Sequence, residues 1–110
     1  MNNIKELIEE LNSRNIKQTS EWTDSMPDDL WDKHFEKNNV WSFKTVAKNL
    51  DVNKHRWYEL STTVIELDGN YIGILLVSNV YSEVDSISDM EHILKFREMK
   101  QVQTITYIDK

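Results

Sequence analysis

The residue types that most often carry catalysis are few in this sequence and widely separated. The three histidines, His34, His55 and His92, are spread along the chain, and there is no cysteine. A metal site would therefore have to be assembled by folding, because no two histidines stand at ligand spacing. The sequence also lacks a glycine-rich phosphate loop and a nucleophile elbow. We expect a non-enzymatic protein without a metal site or a cofactor.

Carboxylates cluster in the polar stretch that follows residue 81. They are Glu83, Asp85, Asp89 and Glu91. Charge runs of this kind are usually solvated loops, and nothing in the sequence sets the separation that acid–base catalysis needs. The functional alternative is a partner-binding surface that imitates a nucleic-acid backbone and occupies a basic channel of a protein. Trp22, which has few apolar neighbours in sequence, either packs under a loop or anchors the same partner.

The middle third of the chain is a local basic region. Residues 31–60 carry six basic and four acidic side chains, although the whole chain has a net charge of −6. Cations and aromatic rings alternate there, a mixture that binds single-stranded nucleic acid by charge and stacking. The candidate residues are Lys44, Lys48, Lys54, Arg56 and Trp57. The alternative is an ordinary solvated strand, which the acidity of the whole chain favours.

Two helices are predicted to precede these residues. Apolar side chains recur at i, i+3, i+4 and i+7 from Ile4 to Leu11, and this spacing predicts a helix over residues 3–15. The run Ser25-Met26-Pro27 combines a capping hydroxyl with a proline suited to a first helical turn. It predicts a second short helix that ends near Asn38.

A β-hairpin is predicted in the second half of the chain. Residues 56–67 and 71–81 are rich in aromatic and β-branched types, and Asp68-Gly69-Asn70 between them tolerates the positive φ of a tight turn. Gly73, inside the second strand, indicates a bulge or a close backbone approach. The end of the chain, 102–108, is also strand-like.

Two further segments fit both periods. Residues 40–50 and 90–99 can be read as a helical face or as alternating strands, and we interpret both as strands. The predicted fold is α+β, with two N-terminal helices packed on an antiparallel sheet of three to five strands. The helical part covers 1–39 and the mainly β part 40–110.

Length and composition bound the class of protein. With 110 residues, 39% of them hydrophobic, the chain has room for one globular domain with its own core. It has no run of about 20 apolar residues, and its N-terminus carries acids where a signal peptide needs an apolar segment. We expect a cytoplasmic protein. An exposed edge of the hairpin would also allow a homodimer.

The second half of the chain also carries a resemblance. The runs that carry it are 54–64 (KHRWYELSTTV), 71–74 (YIGI), 78–83 (SNVYSE) and 102–107 (VQTITY). They resemble a group of small accessory proteins encoded by phages and other mobile elements of Gram-positive bacteria, over residues 54–110. Some proteins of this setting look like anti-CRISPR inhibitors, so the resemblance implies a counter-defence role in a bacterial host cell. It brings no catalytic residues.

Two functional predictions follow. The first is an inhibitor that binds an RNA-guided type II CRISPR nuclease through the acidic residues and Trp22, and blocks DNA binding or cleavage. The second is a nucleic-acid-binding accessory module that uses the basic and aromatic residues of the middle third. They differ in the charge of the surface that makes the contact.

Overall fold

The computed structural model describes residues 3–81 and 86–101 of the chain. Its helical elements are α1 (Ile4–Ser13), α2 (Trp22–Ser25), α3 (Asp28–Leu30), a π-helical turn (Trp31–Phe35) and a 3-10 turn (Ile87–Met90). Its strands are β1 (Glu36–Lys37), β2 (Val40–Trp41), β3 (Phe43–Lys54), β4 (Tyr58–Leu67), β5 (Asn70–Val80) and β6 (Lys95–Met99). The α+β prediction is confirmed. Among these described helices, none is long and apolar enough to cross a membrane.

Strands β3 to β6 form one antiparallel sheet in the order β3-β4-β5-β6, and β1 pairs with β2 separately. The connection between β4 and β5 is Asp68-Gly69, with φ of +51° and +81°. Positive φ at both central residues is what a type I′ hairpin turn requires. The predicted hairpin is therefore confirmed. The described part of the main sheet has four strands, which agrees with the predicted number of three to five.

The two ambiguous segments differ in outcome. Residues 40–50 belong to β2 and β3, as predicted, apart from Ser42 between the two strands. In 90–99, by contrast, only Lys95–Met99 is a strand, and Met90 ends the 3-10 turn. A left-handed Glu91 (φ +51°) separates the two elements, so this part of the prediction was too broad. The predicted strand over 102–108 lies outside the described residues.

The N-terminal helical region is more broken than predicted. Helix α1 begins as expected, because the Asn3 side chain accepts a hydrogen bond from the Glu6 amide at 3.2 Å. Instead of one second helix there are α2, α3 and the π-helical turn. Met26, before Pro27, is extended with ψ of 132°, since a proline disfavours the helical region for the residue that precedes it.

The core lies between these helices and one face of the sheet. Helix α1 contributes Leu11, and the sheet contributes Ile65, Ile72, Ile74 and other apolar side chains that alternate along β4 and β5. At one end of the core, aromatic rings from the helical segments pack on the start of β3. They are Trp22, Trp31, Phe35 and Phe43, with ring centroids 5.2 to 6.3 Å apart.

Strand β3 is irregular. From Thr45 to Asn53 it advances by eight residues, whereas the paired stretch of β4, Ile65 to Leu60, advances by five. The three extra residues are taken up in three separate register shifts. Such bulges bend a strand and increase its twist. The bend brings the Asp51 carboxylate within 3.7 Å of the Arg97 guanidinium on β6, at the far side of the sheet.

The opposite edge of the sheet is covered by the N-terminal segment. The Gln18 backbone N–H donates to the His92 carbonyl, and the Leu94 backbone N–H donates to the Ile16 carbonyl. Residues 16–18 thus pair with the residues that precede β6. The Gln18 amide then bonds both backbone groups of Val77 on β5, at 3.0 and 2.8 Å. In the same way, the Asn12 side chain bonds the backbone N–H and C=O of Phe96 at 2.9 and 2.8 Å. Two side-chain amides thus replace a neighbouring strand.

Gly73 is explained by close packing. A Cβ atom at this position would lie 2.8 Å from the Met99 side chain and 3.3 Å from Thr62. The bulge in β5 lies elsewhere, opposite Glu59 and Leu60. Of the two readings of Gly73, the close approach is the one that the structure shows.

Candidate functional site

The acidic residues singled out in the sequence are described only in part. Glu83 and Asp85 lie outside the described residues. Asp89 and Glu91 are exposed at the 3-10 turn, which is closed by hydrogen bonds from the Asp89 and Glu91 amides to Ser86 and Ser88 at 3.2 Å. These two carboxylates are therefore presented on one ordered turn.

Trp22 belongs to the core and not to an exposed surface. Its side chain is only 5% exposed, and its ring packs 5.2 Å from Phe43 and 5.8 Å from Phe35. The polar residues around it in sequence hid this, because its apolar neighbours come from the π-helical turn and from β3. The prediction of a partner anchor at Trp22 is corrected accordingly, since a buried ring offers no surface to a partner.

The predicted basic residues lie along one hairpin. Lys44 and Lys48 are on β3, Lys54 ends that strand, and Arg56 and Trp57 form the connection to β4. Lys44 forms an ion pair with Glu66 at 3.6 Å. No ion pair among the described residues involves the other three cations. We call Lys48, Lys54, Arg56 and Trp57 the basic hairpin.

The tip of the basic hairpin is ordered by stacking and by backbone hydrogen bonds. The Arg56 guanidinium lies 4.6 Å from the centroid of the Trp57 ring, which is 37% exposed. His55 stacks on Tyr58 at 4.5 Å with an interplanar angle of 13°. The His55 amide donates to the Tyr58 carbonyl, and the Tyr81 amide donates to the Trp57 carbonyl. The tip thus presents a cation and an indole together.

The acids of this hairpin are engaged elsewhere. Asp51 pairs with Arg97. Glu59 accepts a hydrogen bond of 2.8 Å from the Tyr81 hydroxyl, and this bond raises the pKa of Tyr81. The Asp51 and Glu59 carboxylates thus make their described contacts with Arg97 and Tyr81, although Glu59 stands opposite Lys54 in the strand pairing.

A cleft opens beside β3, between this strand and α2. Its volume is about 310 Å³, and it is lined by Trp41, Phe43, Lys48, Asn49 and Glu21 among others. Lys48 belongs to both the cleft and the basic hairpin. Of these residues, Lys48 was singled out from the sequence, whereas Glu21 and Asn49 were missed. The available signal was an asparagine within a strand pattern, since asparagine is depleted in strands and tolerates positive φ.

The remaining titratable groups do not converge. His34 Nε2 lies 2.9 Å from Glu10 Oε1, and this hydrogen bond lowers the pKa of Glu10. His92 is bonded to the Leu75 carbonyl at 3.1 Å, and His55 is stacked on Tyr58. The part of the chain that the structure describes contains no group of three side chains placed to hold a metal ion.

Comparison of the chain with protein-family models, with curated proteins and with solved structures gave no significant match.

Proposed function

We propose that this chain is a non-catalytic protein that binds single-stranded nucleic acid on the basic hairpin. One observation carries the proposal: an exposed indole, Trp57, stands beneath the guanidinium of Arg56, and neither this guanidinium nor Lys48 or Lys54 forms an ion pair among the described residues. Phosphates are bound by such cations, and unstacked bases stack on such rings. Duplexes hide their bases, so the combination favours single strands.

The acidity of the rest of the chain limits this contact. Residues 31–60 have a net charge of +2, and the segments on either side have −4 each. Phosphates beyond the hairpin are repelled, so the site is short and the affinity low. We expect a Kd of about 10⁻⁴ to 10⁻⁶ M at physiological salt, the usual range for binding that reads the backbone alone.

The test is fluorescence anisotropy with labelled single-stranded DNA and RNA. The salt concentration is varied between about 50 and 200 mM, where binding that depends on phosphate contacts weakens steeply. Three cations predict a slope of log affinity against log salt of about −2. Trp57→Ala should weaken binding by roughly 5- to 150-fold, which corresponds to the loss of one stacked base.

The matched control removes two exposed lysines far from the hairpin in sequence. Lys54→Gln combined with Arg56→Gln should flatten the salt dependence, whereas Lys5→Gln combined with Lys100→Gln should leave most of it. Equal effects of the two double variants would show that only total charge matters. Absence of binding at low salt would refute the proposal.

A second proposed function is inhibition of an RNA-guided type II CRISPR nuclease in the bacterial cytoplasm. The observation that favours it is the exposed pair Asp89 and Glu91 on an ordered turn, together with the resemblance to phage-encoded proteins. An acidic surface of this kind fits a channel that otherwise binds phosphates.

This second function is tested by DNA cleavage with purified nuclease and guide RNA at rising concentrations of the protein. Asp89→Lys with Glu91→Lys should relieve inhibition, and Glu9→Lys with Glu98→Lys, an equal change of charge at other exposed sites, should not. Inhibition that survives the first double variant would show that the turn is not the contact. Inhibition lost with Arg56→Gln instead would assign the effect to the basic hairpin.

A further inference from the structure

The cleft beside β3 has the features of a site for one planar ring. Trp41 is 58% exposed, an unusual position for a tryptophan. Its ring is stacked on Phe43 at 5.2 Å with an interplanar angle of 12°, and the Trp31 ring meets it at 5.7 Å and 87°. Trp41 is thus held by other aromatic rings while more than half of its surface stays in contact with water.

The bulges of β3 bring two neighbouring side chains to the same cleft. In a regular strand Lys48 and Asn49 would point to opposite faces of the sheet. The register shift between Ala47 and Leu50 inserts one extra residue, and Asn49 adopts φ of +57°. Both residues line the cleft as a result. Bulges are frequent next to functional sites because they redirect a side chain in this way.

The polar groups at the cleft are of complementary types. Lys48 provides a cation, Asn49 a donor and an acceptor, and Glu21 an acceptor that is paired with no cation among the described residues. Carboxylates accept hydrogen bonds from exocyclic amino groups of bases, and asparagine bonds the amino edge of adenine. The cation suits a phosphate.

We infer that this cleft binds one nucleotide of the single strand held by the basic hairpin, with its base stacked on Trp41. The Lys48 ammonium pairs with the phosphate, and Glu21 and Asn49 bond the edge of the base. Adenine and cytosine, which carry amino donors, are therefore bound more tightly than uracil. The inference rests on the proposed function, since Lys48 is shared by the cleft and the basic hairpin.

Isothermal titration calorimetry with adenosine, cytidine and uridine 5′-monophosphates tests the cleft without a long strand. We expect the adenosine and cytidine nucleotides to bind more tightly than the uridine nucleotide, and Glu21→Gln to reduce that difference. Trp41→Ala should weaken binding by roughly 5- to 150-fold. Val52→Ala is the control, because it shortens an exposed apolar side chain of β3 that does not line the cleft, and it should leave mononucleotide affinity unchanged.

Failure of the cleft and failure of the proposed function give different results. Suppose that oligonucleotides bind and that Trp57→Ala weakens this binding, but that Trp41→Ala and Lys48→Gln leave the affinity for mononucleotides unchanged. The inference about the cleft is then refuted, and the proposed function is kept. If mononucleotides bind with the expected base preference and oligonucleotides bind no more tightly than they do, the inference about the cleft is supported and the proposed function is refuted. Circular dichroism of Trp41→Ala checks that the fold is kept, as the exposure of this side chain leads us to expect.

Discussion

The side chain of Gln18 allows the sharpest test of how the sheet is held together. It is 2% exposed, and its amide makes three hydrogen bonds: it donates to the Ser20 and Val77 carbonyls and accepts from the Val77 amide. Gln18→Leu keeps nearly the same side-chain volume but removes all three hydrogen bonds. The change therefore isolates the loss of hydrogen bonding from the opening of a cavity.

The expected loss follows from the groups left behind. Both Val77 groups stay buried, and an unsatisfied buried backbone group costs about 1 to 3 kcal/mol. The Ser20 carbonyl is only partly buried, so water can replace its partner at little cost. Extra burial of the leucine methyl groups offsets part of the loss. We expect the free energy of unfolding to fall by about 2 to 4 kcal/mol.

The assay is urea unfolding followed by circular dichroism and tryptophan fluorescence, with an unchanged m-value as the sign that only stability has changed. Gln101→Leu, the same substitution at an exposed position, removes one exposed hydrogen bond from the Tyr71 hydroxyl, which water can replace. It should change the free energy of unfolding by less than about 0.5 kcal/mol. Gln18→Glu should be more stable at pH 4 than at pH 7, because protonation restores a donor and removes a buried charge. A Gln18→Leu protein as stable as Gln101→Leu would refute the reasoning.

Three further predictions concern other parts of the fold. Gly73→Val should destabilise the protein by about 1 to 3 kcal/mol through the clash with the Met99 side chain, and Met99→Ala in the same chain should restore part of this loss in urea unfolding. Trp22→Ala should cost about 3 to 5 kcal/mol, as expected of a core aromatic residue; a loss below 1 kcal/mol would contradict its packing. The hydrogen bond from His34 lowers the pKa of Glu10. This bond therefore stabilises the fold at neutral pH, and the stabilisation is lost as the pH falls and the Glu10 carboxylate is protonated. Glu10→Gln should therefore show a weaker decline of melting temperature below about pH 4.5 than the unchanged protein.

The fold class was predictable because local and tertiary preferences agree in several elements. The spacing of Ile4, Leu7 and Leu11 places them on one side of α1, and the Asp68-Gly69 pair suits the turn that the hairpin needs. The helix start beside Pro27 was predictable, since α3 begins at Asp28. A longer regular helix was not found, because α3 has three residues and passes directly into the π-helical turn. The 3-10 turn that ends at Met90 carries no periodic signal at all.

The site was only partly predictable for a different reason. The cations of the basic hairpin are near one another in sequence, so a hairpin keeps them together and their grouping could be foreseen. The cleft joins Glu21 to Asn49 across the fold. Its shape depends on bulges, whose positions are set by the pairing of β3 with β4 and are not marked in the sequence of β3 alone. Trp22 shows the converse error, because sequence neighbours said nothing of the rings that surround it.

The two edges of the main sheet differ in how they resist pairing with strands of other chains. At the β6 edge, the Asn12 amide bonds both backbone groups of Phe96, and beside it the Gln18 amide bonds those of Val77 on β5, so a foreign strand finds these groups occupied. Among the described strands none pairs with β3 on its outer side, and apolar side chains such as Val46, Leu50 and Val52 are exposed on this strand. A foreign strand would need a continuous ladder, yet β3 offers only short stretches of constant register. The same irregularity that forms a cleft therefore protects an exposed, apolar edge against fibrous aggregation.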